Sequence, residues 1–466
     1  MLGKHGLVFV SLLVLAMSGC KEPNPYRCPD GEKCDPDARE GEQCGDIKCK
    51  APMPVCDTST TTCVECLEEG DCSAARPVCS AQHECVECIT HDDCMESKLC
   101  LVDKNTCAAS GDVTYVGGPN ASTANKSCLI DAPCADLKDA LAPAGLRRYI
   151  KVTGLVTSGG TADINNKKAI IYGDQGVLAS SYSGRVIYIH GTSEVTLIDL
   201  DIQGNAGTGS ENCVDIATTS SVVMTRVNVH NHALAGIGMD MIPKLVMIDS
   251  KVYDNTLEGV KVAGGTLEIH HSSIYGNKGG VITNSAMMVT IDSSTISGNT
   301  GTNGVSITTG PFVIRNSIIA RNGGGNSTTG GLALSSTNGV VDFCTISNNV
   351  SDIGGNAGVS CAGSVNITNS ILTNNNSTVP IGSTCNVTYS LWTTLPAPPG
   401  TGNITGDPMF LNTTDRLDPG FFRIKSASDA RNKVSLGLPS PANVTDDIDG
   451  QPRDDGLRDM GADEYK

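Results

Sequence analysis

Asp199, Arg226, Asp249 and His271 recur at intervals of 22 to 27 residues. Each holds the sixth place of a repeated segment: EVTLIDLDIQGN (194–205), SVVMTRVNVHNH (221–232), KLVMIDSKVYDN (244–255) and TLEIHHSSIYGN (266–277). If successive segments stack, these four side chains stand in a row about 4.8 Å apart. Two carboxylates flanking an arginine could hold calcium or draw a proton from a uronic acid. An exposed ladder of alternating charge, in which each pair contributes little, gives the same row. Arg226 weighs against calcium, because a permanently charged guanidinium matches carboxylate geometry and competes for the same oxygens. Asp201 and Lys251 share a neighbouring outward place. The row has no aromatic platform of the kind sugar sites use, and the single tryptophan, Trp392, falls near the C-terminal end.

Other chemistry is thinner. The chain has no Ser-His-Asp signature, no P-loop and no HExxH. Cys63-x-x-Cys66 and Cys85-x-x-Cys88 are separated by 18 residues, a zinc-ribbon spacing. Cys72 and Cys79 lie between those pairs, which favours disulfides over metal. Asp446, Asp447 and Asp449 form an acidic run without the order of an EF-hand loop. The expected metal set is therefore empty and no cofactor is implied, calcium being the one ion the acidic places could take.

The elements that position these residues follow from the repeat. MVTIDSSTISGN (288–299), PFVIRNSIIARN (311–322) and SVNITNSILTNN (364–375) share the register, and NGVVDFCTISNN (338–349) fits loosely. Apolar residues recur at the second, fourth and ninth places, so Val195, Leu197 and Ile202 align with Val222, Met224, Val229 and with Leu245, Met247, Val252. Such alternation over a few residues is strand-like. Most repeats continue through a glycine to a third short strand: GVKVA (259–263), GVITN (280–284), GVSIT (304–308) and GVSCA (358–362). Three short strands with no helix between them cannot bury a face alone. Stacked turns bury a continuous aliphatic column, which is a parallel β-helix. Asn205, Asn255, Asn277, Asn299, Asn322, Asn349 and Asn375 end the repeats in one register, with His232 replacing asparagine once. Stacked amides can bond along the axis, so this column is expected to be a structural ladder.

This pattern resembles the right-handed β-helix of the pectate-lyase-like superfamily over residues 148–395. The resemblance implies that any catalytic site lies on an outer face, with clustered carboxylates and sometimes calcium and a basic residue. DAPCADLKDALAPAG (131–145) reads as a short helix, Pro133 early and Gly145 at its end, covering the open first coil, with Cys128 and Cys134 placed to staple it. GDPMF (406–410), FFRIKSASDA (421–430) and DIDGQPRDDGLRDMGADEY (447–465) resemble a tail common in exported bacterial β-helix proteins. Residues 396–466 are expected to cap the last coil, since solenoids need polar terminal caps.

Ahead of the coils, residues 28–107 hold 14 cysteines and no Phe, Trp or Tyr. VECLEEGDCSAARPVCSAQHEC (64–85) and VECITHDDCMESKLCLVDKNTC (86–107) are copies of 22 residues, and CGDIKCKAPMPVCDTSTTTC (44–63) is a looser one. With so little apolar material, crosslinks must hold these units. Disulfides are expected among Cys28, Cys34, Cys44, Cys49, Cys56, Cys63, Cys66, Cys72, Cys79, Cys85, Cys88, Cys94, Cys100 and Cys107, and at Cys128 and Cys134, with the connectivity open. The module resembles cysteine-rich repeats of bacterial surface lipoproteins.

Cys20 stands apart. Lys4 and His5 precede the 11-residue apolar run Gly6 to Ala16, the order of a secretory signal and too short to span a bilayer. Met-Ser-Gly-Cys (17–20) resembles the bacterial lipobox, which implies a lipidated Cys20 after loss of residues 1–19 and a linker over 20–27. Setting Cys20 aside turns 21 cysteines into an even 20. Lys21 follows where, in that family, aspartate favours the inner membrane, so the resemblance implies the outer membrane or cell surface.

A net charge of −17 excludes nucleic acid as a partner. Residues 108–147 read as connection and cap. The expectation is an all-β protein, a right-handed parallel β-helix behind a small disulfide-rich module. Its partners would be a membrane, through the anchor, and a polysaccharide or surface protein. The expected role is non-enzymatic display, adhesion or glycan binding, and the alternative is a lyase or glycoside hydrolase acting on an acidic polysaccharide.

Overall fold

The computed structural model describes residues 43–466 apart from 143–146, 183, 206, 208, 326, 337, 364, 377–380, 394–398, 436, 438, 439, 441 and 455. The signal-like run, Cys20, Cys28 and Cys34 lie outside the described residues. The chain divides between Ser110 and Gly111 into two compact units. No helix of the described residues is long and apolar enough to cross a membrane.

In the first unit each cysteine repeat is crossed by two disulfides, first to third and second to fourth cysteine. These are Cys44–Cys56 and Cys49–Cys63, Cys66–Cys79 and Cys72–Cys85, Cys88–Cys100 and Cys94–Cys107. Each repeat ends in a small antiparallel hairpin, such as Val55–Asp57 with Thr62–Val64. Cys63, Cys66, Cys85 and Cys88, which carry the zinc-ribbon spacing, fall in four different disulfides. Glu65 and Glu87 join the repeats' ends by accepting from the Cys85 and Cys107 amides at 3.0 and 2.9 Å.

The second unit is a parallel β-solenoid of about 10 turns. A typical coil carries three strands: Glu194–Ile198 in a first sheet, Asp201–Gln203 in a second and Val214–Thr218 in a third. Each pairs in parallel with its counterpart in the next coil, so Leu197 meets Met224, then Met247, Ile269 and Ile291. The third sheet has nine strands, and its inward column runs Ile187, Val214, Ile237, Val260, Val281 and Val305. Nearly all of these side chains are fully buried, because parallel in-register stacking sets each inward residue on its equivalent. Where sizes differ, neighbours compensate: Phe312 pairs with Gly339, and its ring fills the space a side chain there would need.

The solenoid begins earlier than the sequence indicates. Val113–Gly117, within what reads as a turn-rich connection, is a buried strand parallel to Tyr149–Thr153. The helix expected over 131–145 is a single turn, Leu137–Ala140, with Asp136 capping it by accepting from the Lys138 amide at 3.0 Å. It starts late because Cys134 is held by its disulfide to Cys128 and by bridges to Val116 and Ser122. Leu137, Ala140 and Leu141 are buried against the first coil.

The C-terminal tail also differs from expectation. Ile404–Thr405 adds a last strand beside Leu391–Trp392, and the remainder turns back along the flank of the later coils instead of closing their end. The reason lies in the outward places of the second sheet. Asp201, Asn228, Lys251, Ser273 and Thr295 stand in register with Ile318, Thr345, Ile371 and Leu391. Ile318, Ile371 and Leu391 are fully buried under Phe421, Ile424, Met460 and their neighbours. An outward face that turns apolar needs a cover, and residues 406–466 supply it. Asp342 anchors the cover, accepting from Thr368 Oγ1 and Asn369 Nδ2 of the coils and from Ser440 Oγ of the tail at 2.7 to 2.8 Å.

Candidate functional site

The predicted row occupies the corner between the first and second sheets. Asp199, Arg226, Asp249 and His271 all have left-handed backbone, with φ of 56°, 52°, 50° and 47°. Ser293, Asn316, Phe343, Asn369 and Tyr389 continue the column with φ between 46° and 52°. Asn, Asp and His tolerate this region best among residues with a Cβ, which accounts for much of the row's polarity without any chemistry. Arg226 grips Asp199 in a bidentate pair at 2.6 and 2.8 Å. Asp249 acts on Arg226 only through its charge, and His271 stands exposed two coils along. The four stand side by side and do not converge on a point.

The next place inward carries a ladder that the sequence reading missed. Ser250 N donates to Ser272 Oγ, Ser272 N to Ser294 Oγ and Ser294 N to Ser317 Oγ, at 3.0 to 3.2 Å. Its signal is visible in the register as a serine at the seventh place. Cys344 takes that place in one coil, and burial pushes its thiol up to about 12. The asparagine column forms a second ladder. Asn255, Asn277, Asn299, Asn322 and Asn349 each donate from backbone and side-chain nitrogen to the next Oδ1, the run ending on Asn375, at 2.9 to 3.2 Å. His232 joins at the other end, donating its amide to Asn255 Oδ1 at 3.1 Å. Asn205 instead accepts from the Gly207 amide, at the start of a longer connection.

Aromatic rings line the neighbouring outer face of the second sheet, away from the predicted row. His230, Tyr253 and Tyr275 stack at successive coils of the second sheet, with centroids 4.7 and 5.0 Å apart. Asp201 Oδ1 meets His230 Nε2 at 2.7 Å, and Arg416 of the tail lies 4.1 Å over Tyr275. Burial, with Asp201 nearby, pushes the Tyr253 hydroxyl up to about 12. The Tyr253 ring is covered on both faces and Tyr275 is closed by Arg416, so the stack presents edges to solvent and no platform for a sugar.

A cleft of about 290 Å³ opens on the third sheet, lined by Arg185, Tyr188, Glu211, Asp215, Asp240 and Lys261 among others. Tyr188, Asp215, Gly238 and Lys261 are register partners on consecutive strands. Glu211 comes from the connection that precedes Val214–Thr218. Gly238 forms the floor, since any Cβ there would strike Asn212 Nδ2 and Asp215 Oδ1. Arg185 donates through Nε to Asp215 Oδ2, meets Glu211 Oε1 at 2.7 Å and stacks 4.4 Å over Tyr188. Asn212 Nδ2 takes the other Asp215 oxygen at 2.6 Å. His190 covers the other face of Tyr188 at 4.2 Å and meets Asp163 at 2.8 Å. Asp240 and Lys261 are exposed at the cleft. The arrangement is polar, and both oxygens of Asp215 are already engaged.

The acidic residues near the C-terminus gather differently from the run in sequence. Asp447, Asp449 and Asp463 carry oxygens within 4.8 Å of one another. Arg423 is the cation among them, bidentate to Asp449 at 2.6 and 2.7 Å and 3.5 Å from Asp463. Asp447 accepts from the amides of Asp449, Gln451 and Glu464. Burial pushes the Asp463 carboxyl up to about 6. Asp446 lies outside the cluster and offers its carbonyl to Asn316 and Arg453. The cluster fastens the tail.

Residues 185–325 match the family model of the right handed beta helix region. A solved structure, the crystal structure of pectate lyase Pel9A, is similar with a TM-score of 0.48 and 16% identity, over 76% of this chain and 96% of that one. No curated protein matches the sequence. With the family match lying wholly within the stacked coils, the second unit is a right-handed β-helix.

Proposed function

We propose that this protein is a lipid-anchored surface protein whose β-helix binds glycan in the third-sheet cleft without cleaving it. The observation that carries the reading is the state of the cleft's carboxylates. A lyase on such a scaffold needs calcium ligands and a base converging on one point, and calcium requires six to eight oxygens. In the cleft Arg185 already engages one oxygen each of Asp215 and Glu211, and at the corner Arg226 engages both oxygens of Asp199. Calcium would have to displace these charge-assisted bonds first, a bidentate one at Asp199 and one contact each at Asp215 and Glu211, which is costly. What is left is a fixed array of donors and acceptors suited to sugar hydroxyls. The expected result is no unsaturated product from pectate, alginate or similar polymers by ultraviolet absorbance, with or without added calcium. Product that disappears in Asp215→Ala or Asp249→Ala would establish the lyase reading in its place.

The anchor is tested separately. The lipobox-like context of Cys20 and the odd cysteine count support acylation there. Several acyl chains hold a protein stably, at about 0.8 kcal/mol per buried CH₂. Cys20→Ser should give a protein that no longer incorporates labelled palmitate or partitions into detergent. Retention of both properties would refute the anchor.

A further inference from the structure

We infer that the third-sheet cleft takes uncharged sugars and disfavours uronates, an inference that rests on the glycan-binding reading above. The charged side chains lining the cleft are Arg185 and Lys261 against Glu211, Asp215 and Asp240, an excess of one negative charge. The one clamped cation, Arg185, is outnumbered by the two carboxylates it already holds. Arg185 spends its Nε on Asp215 and its Nη1 on Glu211, and its face lies on Tyr188. Lys261 is the remaining cation, exposed at the cleft that also holds Asp240. A uronate carboxylate only accepts hydrogen bonds, whereas a hydroxyl both donates and accepts. Carboxylate oxygens of Glu211 and Asp240 therefore suit hydroxyl donors and repel a second carboxylate. The chain's net charge of −17 adds a long-range barrier to any polyanion at low salt. Both faces of Tyr188 are covered, by His190 at 4.2 Å and Arg185 at 4.4 Å, so ring stacking cannot offset that repulsion.

The test is calorimetric titration of the full chain at low salt with neutral hexose oligosaccharides and with oligogalacturonates of equal length. The neutral series is expected to bind at least about tenfold more tightly. Asp240→Lys, at an exposed position, turns the excess negative charge into an excess positive one and is expected to raise oligogalacturonate affinity about tenfold. Oligogalacturonate binding as tight as the neutral series in the unmodified protein, weakened by Lys261→Gln, would overturn this inference and leave glycan binding standing. Binding of neither class would overturn the glycan reading itself, and this inference with it.

Discussion

Arg453→Met is expected to release the C-terminal tail from the flank of the β-helix, weakening its docking by about 3–5 kcal/mol. The Arg453 and Glu464 side chains are both fully buried, paired at 2.9 Å. Arg453 also donates to the carbonyls of Asp446, Asp459 and Gly461 at 2.9 to 3.2 Å and lies 4.4 Å over Phe343. Removing the guanidinium leaves the buried Glu464 carboxylate without its cation and takes the Arg453 donors from the Asp459 and Gly461 carbonyls. The loss should be local, because solenoid coils depend on their nearest neighbours. Hydrogen exchange should show residues 406–466 unprotected while the coils before Tyr275 keep their protection. Adding Glu464→Leu removes the stranded charge and should restore part of the docking, since replacing a buried ion pair whole is far cheaper than halving it. Tail amides as protected in Arg453→Met as in the unmodified chain would contradict the account.

Asn299→Ala should destabilise the middle coils by at least about 1–3 kcal/mol. Asn299 is fully buried, and its Oδ1 accepts from both the amide and Nδ2 of Asn277 at 3.1 Å. Its own Nδ2 donates to the Ile274 carbonyl at 3.1 Å and to Asn322 Oδ1 at 2.9 Å. Alanine removes the acceptor of the buried Asn277 amide and the side-chain donor to the Ile274 carbonyl, both on the preceding coil, and one of the two donors to Asn322 Oδ1 on the next. Asn205→Ala is the control, because Asn205 is half-exposed and bonds only locally to Gly207. Its denaturation midpoint should stay at that of the unmodified protein. Equal shifts for the two variants would show that the ladder's bonds contribute nothing beyond turn propensity.

The inward columns, the coil period and the asparagine ladder are readable from the sequence alone. In a parallel in-register stack each residue's neighbour is its own counterpart one repeat away, so the tertiary contacts are written as a linear period. The serine ladder and the His230–Tyr253–Tyr275 stack obey the same rule and could have been read from the seventh and tenth places. Crossed disulfides within repeats of four cysteines could not, since spacing permits three pairings and only chain path selects one. Corner geometry was also hidden: Asp199, Asp249 and His271 look like a catalytic row until their left-handed backbone shows why such residues recur there. The cleft required the structure because Arg185 and Asp215 belong to neighbouring coils and Glu211 to a connection between strands, and a connection that varies in length breaks the register that locates everything else. The tail's place was decided by tertiary structure for the same reason. Residues 406–466 carry no repeat, and only the folded coils bring Ile318, Ile371 and Leu391 together as an apolar face that the tail must cover.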